Sequence, residues 1–106
     1  MSRSLRRFEI LLPRWFNDLR PVPDETIADT LLELRRKFGV VSTETQIIRG
    51  LWEHAGQSYR DELIRVFVDV ADTPENMQFF EQYKEILKSR FQQIDIWITT
   101  FPLQAI

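Results

Sequence analysis

A chain of 106 residues, 43% apolar and 28% charged, is long enough to bury a core unaided and lacks the composition of a disordered protein. It contains no cysteine, which excludes disulfide frameworks, thiolate metal sites, iron–sulfur centres and cysteine nucleophiles, and suits a reducing compartment. The formal net charge of -2 runs against the basic balance by which nucleic-acid-binding domains neutralise phosphate.

No apolar run approaches the roughly 18–20 residues of a membrane-spanning helix. The basic start, Met1 to Arg7, leads into a short apolar stretch, Phe8 to Leu12, broken by Glu9. A signal peptide needs an unbroken apolar core of about 7–15 residues and a small-residue cleavage site. The expectation is a complete cytoplasmic chain with no membrane association, forming one domain over residues 1–106.

The first element is a strand, Arg7 to Leu12, with Phe8, Ile10 and Leu12 on one side and Glu9 and Leu11 on the other. Pro13 closes it, because proline cannot donate to a ladder. A turn-rich loop follows from Arg14 to Pro23. Asp24 to Phe38 then reads as a helix, with Ile27, Leu31, Leu34 and Phe38 in one stripe. Acids stand at its start and bases at its end, and Gly39 sits where a left-handed cap belongs.

From Val40 to Val70 two long strands are expected around a turn at Ala55-Gly56. Cross-strand partners then sum to 111. Val41, Thr43, Thr45 and Ile47 would face Val70, Val68, Val66 and Ile64 beneath the helices. Glu44, Gln46, Ile48 and Trp52 would face Phe67, Arg65, Leu63 and Tyr59 on the other side. Thr73, Pro74 and Glu75 mark a second helix start, and Phe80, Tyr83, Leu87 and Phe91 form its buried stripe. The last strand, Ile94 to Thr99, should turn Ile94, Ile96 and Ile98 inward. The order β-α-β-β-α-β implies an α+β, ferredoxin-like fold: a four-stranded antiparallel sheet with two helices on one face.

The other face carries the functional expectation. Leu11, Ile48, Trp52, Tyr59, Leu63, Phe67 and Trp97 lie there with Glu9, Glu44, Arg65 and Asp69. Aromatic side chains bury roughly 150–250 Å² each, so the set exceeds the ~300–600 Å² patch a monomer ordinarily exposes. A second copy packed face to face, the C-terminal tail Phe101 to Ile106, or a ligand or foreign partner could cover it; the homodimer is the preferred reading.

Catalytic signatures are lacking. His54 is the single histidine and reads as an exposed loop residue; its neighbours form no metal-ligand spacing, and no metal or cofactor is expected. Three isolated glycines build no phosphate cradle, and no serine stands in a nucleophile elbow. Glu44, Glu9 and Asp69 around Arg65 read as a charge-paired sheet surface. In the loop, Trp15 and Phe16 could wall a pocket, with Arg14 and Arg20 placed for an anion.

RNA-recognition domains share this fold, but their basic glycine–aromatic motif is not matched by Leu63-Ile-Arg-Val-Phe-Val-Asp. The chain is similar to small uncharacterised bacterial proteins. The likeness is carried by "FEILLP" (Phe8 to Pro13), Phe38-Gly39, Gly50-Leu51-Trp52, "YRDE" (Tyr59 to Glu62) and the run from Arg90 to Trp97. It covers most of the chain and implies the fold without an activity. The fold also resembles that of dimeric α/β-barrel proteins.

The sequence thus favours a non-enzymatic homodimer acting as a ligand-binding or protein-interaction module, with a small apolar ligand as its partner. The alternative is a cofactor-free enzyme of the dimeric-barrel type, monooxygenase- or isomerase-like, using Glu44, Arg65 and Tyr59. Nucleic-acid contact through the N-terminal arginines is the weakest reading.

Overall fold

Alternating apolar residues set the centre of the sheet. In the computed structural model, which describes residues 3–106 apart from the side chains of Arg3, Thr45, Tyr59 and Arg60, the elements are β1 (Arg3–Pro13), α1 (Asp24–Phe38), β2 (Ser42–His54), β3 (Gln57–Ala71), α2 (Pro74–Arg90) and β4 (Ile98–Ala105). The fold is mixed α+β, and the antiparallel strands lie in the order β2-β3-β1-β4. Phe8, Ile10 and Leu12 of β1 and Val66, Val68 and Val70 of β3 turn to the same side and are buried. Against them pack Leu34 of α1 and Phe80, Tyr83 and Leu87 of α2. Phe80 stacks on Phe8 with ring centroids 4.0 Å apart, and Phe38 extends the stack from α1 at 5.4 Å.

The helix ends follow their local chemistry. Gly39 holds φ 86 at the end of α1 and donates its N–H to Arg35 O. Thr73 caps α2, its hydroxyl accepting the Asn76 N–H at 3.2 Å, with Pro74 in the first turn. Between the helices, Tyr83 donates to Glu33 Oε1 at 2.8 Å. Arg90 donates to Glu33 Oε2 at 2.6 Å and to Thr30 Oγ1 at 3.0 Å. Hydrogen bonding to Arg90 and Tyr83 outweighs burial and holds the Glu33 carboxyl below the ordinary glutamate range. Burial, reinforced by the bond to Glu33, raises the Tyr83 phenol.

Two expectations about the strands are corrected. The β2–β3 register holds from the turn to Ile47↔Ile64 but slips beyond it, where Thr43 pairs with Val66 and Ser42 with Phe67. Residues 44–46 of β2 therefore oppose Arg65 alone, two more than a regular ladder allows. Thr43 does not face Val68, nor Thr45 Val66. Ile47 is 45% exposed because the helices do not reach that far. Pairing of β1 with β3 stops at Pro13↔Leu63, so residues 49–62 project as a two-stranded arm from a molecule measuring 48 × 29 × 25 Å.

The second correction concerns the C-terminus. Residues 94–97 are not in β4, which begins at Ile98 and runs to Ala105 alongside β1. The expected tail is thus the edge strand, and it does not fold over the sheet. Gln92 has φ 51, and the Asp95 carboxylate accepts its neighbour's N–H at Ile96; both features interrupt an extended run. Ile96 is buried and Trp97 exposed, as expected, whereas Ile94 is exposed instead of turning inward.

Candidate functional site

Strand parity places Arg7, Glu9, Leu11, Leu63, Arg65, Phe67 and Asp69 on the face opposite the helices. A charged band fills its middle. Arg7 grips Asp69 through two bonds of 2.7 and 3.0 Å, and its guanidinium lies 4.4 Å from the Phe67 ring centre. Arg65 pairs with Glu44 at 3.0 Å and stands 3.7 Å from Glu9. The bond to Asp69 raises the Arg7 guanidinium further above its ordinary value.

The face is therefore less apolar than the sequence suggests. Leu11, Ile48, Trp52, Leu63 and Phe67 are half-buried within one chain, and Trp97 is 62% exposed. Tyr59 pairs with Trp52 through the backbone, and its side chain lies outside the described residues.

Beyond the charged band, where β1 ends, the face closes into a cleft of about 320 Å³. Leu11 and Pro13 of β1 form its floor with Leu63 of β3. Gly50, Leu51 and Trp52 of the arm form one wall, and the crossing segment supplies Gln93, Ile96 and Trp97. Two carboxylates line it, Asp61 and Asp95. Asp61 accepts the Trp52 indole N–H, and Asp95 pairs with Lys84 at 3.1 Å. Gln93 fixes the crossing segment by donating to Phe91 O at 2.9 Å and Trp15 O at 3.2 Å.

Of the anticipated site residues, Leu11, Trp52, Leu63 and Trp97 meet in this cleft. Ile48 adjoins it through its pairing with Leu63. Glu44, Arg65 and Phe67 belong to the charged band instead. Asp61 and Ile96 were missed, and Asp95, which alternation puts on the open face beside Trp97, was not counted among the site residues. Asp61 shares the parity of Leu63 and could have been found that way; the bend that brings Ile96 to the cleft has no strand pattern to reveal it.

Arg14 and Arg20 are not free for an anion. Arg14 pairs with Glu62 at 3.1 Å. Arg20 pairs with Asp18 at 2.6 Å, reaches Gln92 and lies over Phe16. Arg6 is likewise held by Asp72 at 2.8 Å. These local carboxylates remove most of the basic character expected of the N-terminal segment. Trp15 lines a second, broader cleft of about 970 Å³ on the helix side of the arm, with Phe16, Leu19, Arg49, Leu51 and Glu62. Among the described residues no three His, Asp or Glu side chains gather to hold a metal ion, and no helix is long and apolar enough to cross a membrane.

No family model matches the chain, and neither does any curated protein. Solved structures do resemble it. A phage SAM lyase in complex with S-methyl-5′-thioadenosine superposes with a TM-score of 0.67 at 13% identity, over 95% of this chain and 90% of that one. CutA from Synechococcus elongatus gives 0.62 at 12% identity, over 96% and 80%. The phage SAM lyase in its apo state gives 0.57 at 15%, over 98% and 90%. At these identities the likeness is one of fold, a small α+β architecture.

Proposed function

We propose that this chain is a ligand-binding module of ferredoxin-like architecture, forming one domain and working as a homodimer in the cytoplasm. It binds a small flat ligand with a cationic group at the end of its helix-free face. The observation that carries this reading is the convergence of Trp52, Trp97, Asp61 and Asp95 on one cleft of about 320 Å³. That volume lies within the ~300–1,000 Å³ of small-molecule sites, which combine apolar walls with a few placed polar groups. Leu11, Leu63 and Ile96 supply the apolar walls. An indole face attracts both a heteroaromatic ring and a cation, and Asp61 adds negative potential, whereas Asp95 is paired with Lys84.

A sulfonium nucleoside has this character, and a protein of similar fold is described in complex with S-methyl-5′-thioadenosine. S-adenosylmethionine and S-methyl-5′-thioadenosine are therefore the first probes. Isothermal titration should show binding of the cationic probe, weakened about tenfold or more by Trp97→Ala and by Asp61→Asn. Absence of heat at millimolar concentration for both probes, with native mass spectrometry finding no retained small molecule, would overturn the reading.

A further inference from the structure

The edges of the sheet differ. β4 carries Pro102, which has no N–H to offer a neighbour. β2 offers 13 residues without a proline. Its outer half belongs to the arm, and an isolated two-stranded ribbon is marginal in water. Leu51, at its middle, is 81% exposed. Arg49 and Glu53, two residues to either side, are exposed as well, and neither pairs with another described side chain.

From this edge we infer that the protein forms a twofold dimer by antiparallel pairing of β2 with β2 of a second copy, centred on Leu51. Three independent features select that register. The two-residue turn at Ala55 and Gly56, with φ 51 and 80, makes His54↔Gln57 a hydrogen-bonded pair. Ladder alternation then points the N–H and C=O groups of residues 47, 49, 51 and 53 away from β3. Centring on Leu51 matches these outward groups with one another. The same centring sets Arg49 against the partner's Glu53 and Glu53 against the partner's Arg49. Centring on Arg49 would oppose like charges, and centring on Gly50 would leave both charges facing apolar residues.

The third feature is Gly50. Among the described residues nothing calls for glycine there: its φ is not positive, and a Cβ would meet only Leu63 Cδ1 at 3.7 Å, an ordinary contact. A glycine inside a strand marks a close approach by something else. In this register the partner's Trp52 lies opposite Gly50 in a close, non-hydrogen-bonded pair, on the face that carries the ligand cleft. The dimer joins two sheets edge to edge and brings a second indole toward each cleft. It leaves the charged middle of the open face in solvent, and it stands or falls independently of ligand binding.

Sedimentation equilibrium tests it. The parent should be a dimer, and Arg49→Glu and Glu53→Arg should each weaken it about tenfold or more, since each reversal creates two like-charge pairs per dimer. The two variants mixed in equal amounts should recover a heterodimer near parental affinity. One chain then carries acids at both positions and the other carries bases, so every facing pair is again of opposite charge. Leu51→Cys places the only thiol of the protein on the twofold axis, where a short bismaleimide should link two copies, whereas Trp97→Cys should not be linked. A parent that sediments as a monomer or trimer, reversals that leave the dimer unchanged, or a mixture no tighter than its components would overturn the proposal. Failure of Leu51→Cys to cross-link with that reagent would do the same.

Discussion

Tyr83 on α2 donates its hydroxyl hydrogen to Glu33 on α1 at 2.8 Å, while Arg90 holds the other oxygen of the same carboxylate. The bond joins the helices at a half-buried position, where a bond to a charged acceptor contributes roughly 1.5–3 kcal/mol. Tyr83→Phe keeps the ring and deletes the hydroxyl. Glu33 retains Arg90, so we expect the low end, about 1–2 kcal/mol, lost in urea unfolding.

The same carboxylate predicts an acid limb. The folded-state pKa of Glu33 lies below its unfolded value, so its contribution is complete above the unfolded value. It is lost as pH falls from there through the depressed folded value. Melting temperature should decline below about pH 4.5, and Glu33→Gln should flatten part of that decline. Identical acid limbs in parent and variant would refute the assignment.

Tyr83 acts at the opposite end of the scale. Its folded pKa is raised by burial and by Glu33, which stabilises the fold fully below the unfolded tyrosine value. That contribution disappears as pH rises through the folded value, a window above about pH 10. Ultraviolet titration should find one tyrosine ionising only as the protein unfolds, and Tyr83→Phe should remove that phase.

Arg7 shields Phe67 and neutralises Asp69 on the open face. Replacing it with alanine uncovers an aromatic ring and leaves an acid without its bidentate partner. The pair is about 30% exposed on each side, so solvent screening holds the expected cost near ~1 kcal/mol. Binding of a hydrophobic dye should rise in Arg7→Ala although the melting temperature changes only slightly. Dye binding equal to the parent's would show that Arg7 does not cover the ring.

Thr73 caps α2 with a single side-chain bond. Thr73→Ala should cost about 1 kcal/mol, as loss of such a cap commonly does; thermal unfolding that matches the parent's would contradict this.

Much of the fold could be read residue by residue. Phe8-Ile10-Leu12 and Val66-Val68-Val70 announce buried strand faces through period two. Thr73-Pro74 and Gly39 announce helix ends through dihedral and capping chemistry. Ala55-Gly56 announces the turn. Each signal is local, depending on neighbours within a few residues. The β4 boundary failed because Ile94, Ile96 and Ile98 alternate as a strand would, yet the chain bends at Gln92 and Asp95 to cross the end of the sheet. The slip at residues 44–46 failed similarly: alternation survives a two-residue insertion, so the pattern carries no trace of it.

Composition and local pattern alone determined the element order, both limits of α1, the start of α2 and the side of the sheet on which each central β1 and β3 residue would lie; α2 ends at Arg90, short of the Gln92 or Gln93 that the pattern suggests. They also placed Leu11, Trp52, Leu63 and Trp97 on the face without helices. Only the tertiary structure decided that these four converge at its end with Asp61 and Asp95, and that ion pairs through Arg7 and Arg65 fill its middle. The physical reason is range. Periodicity reports which way a side chain points, whereas a cleft and a charge network depend on where strands stop pairing and where the chain bends, and those are set by distant partners.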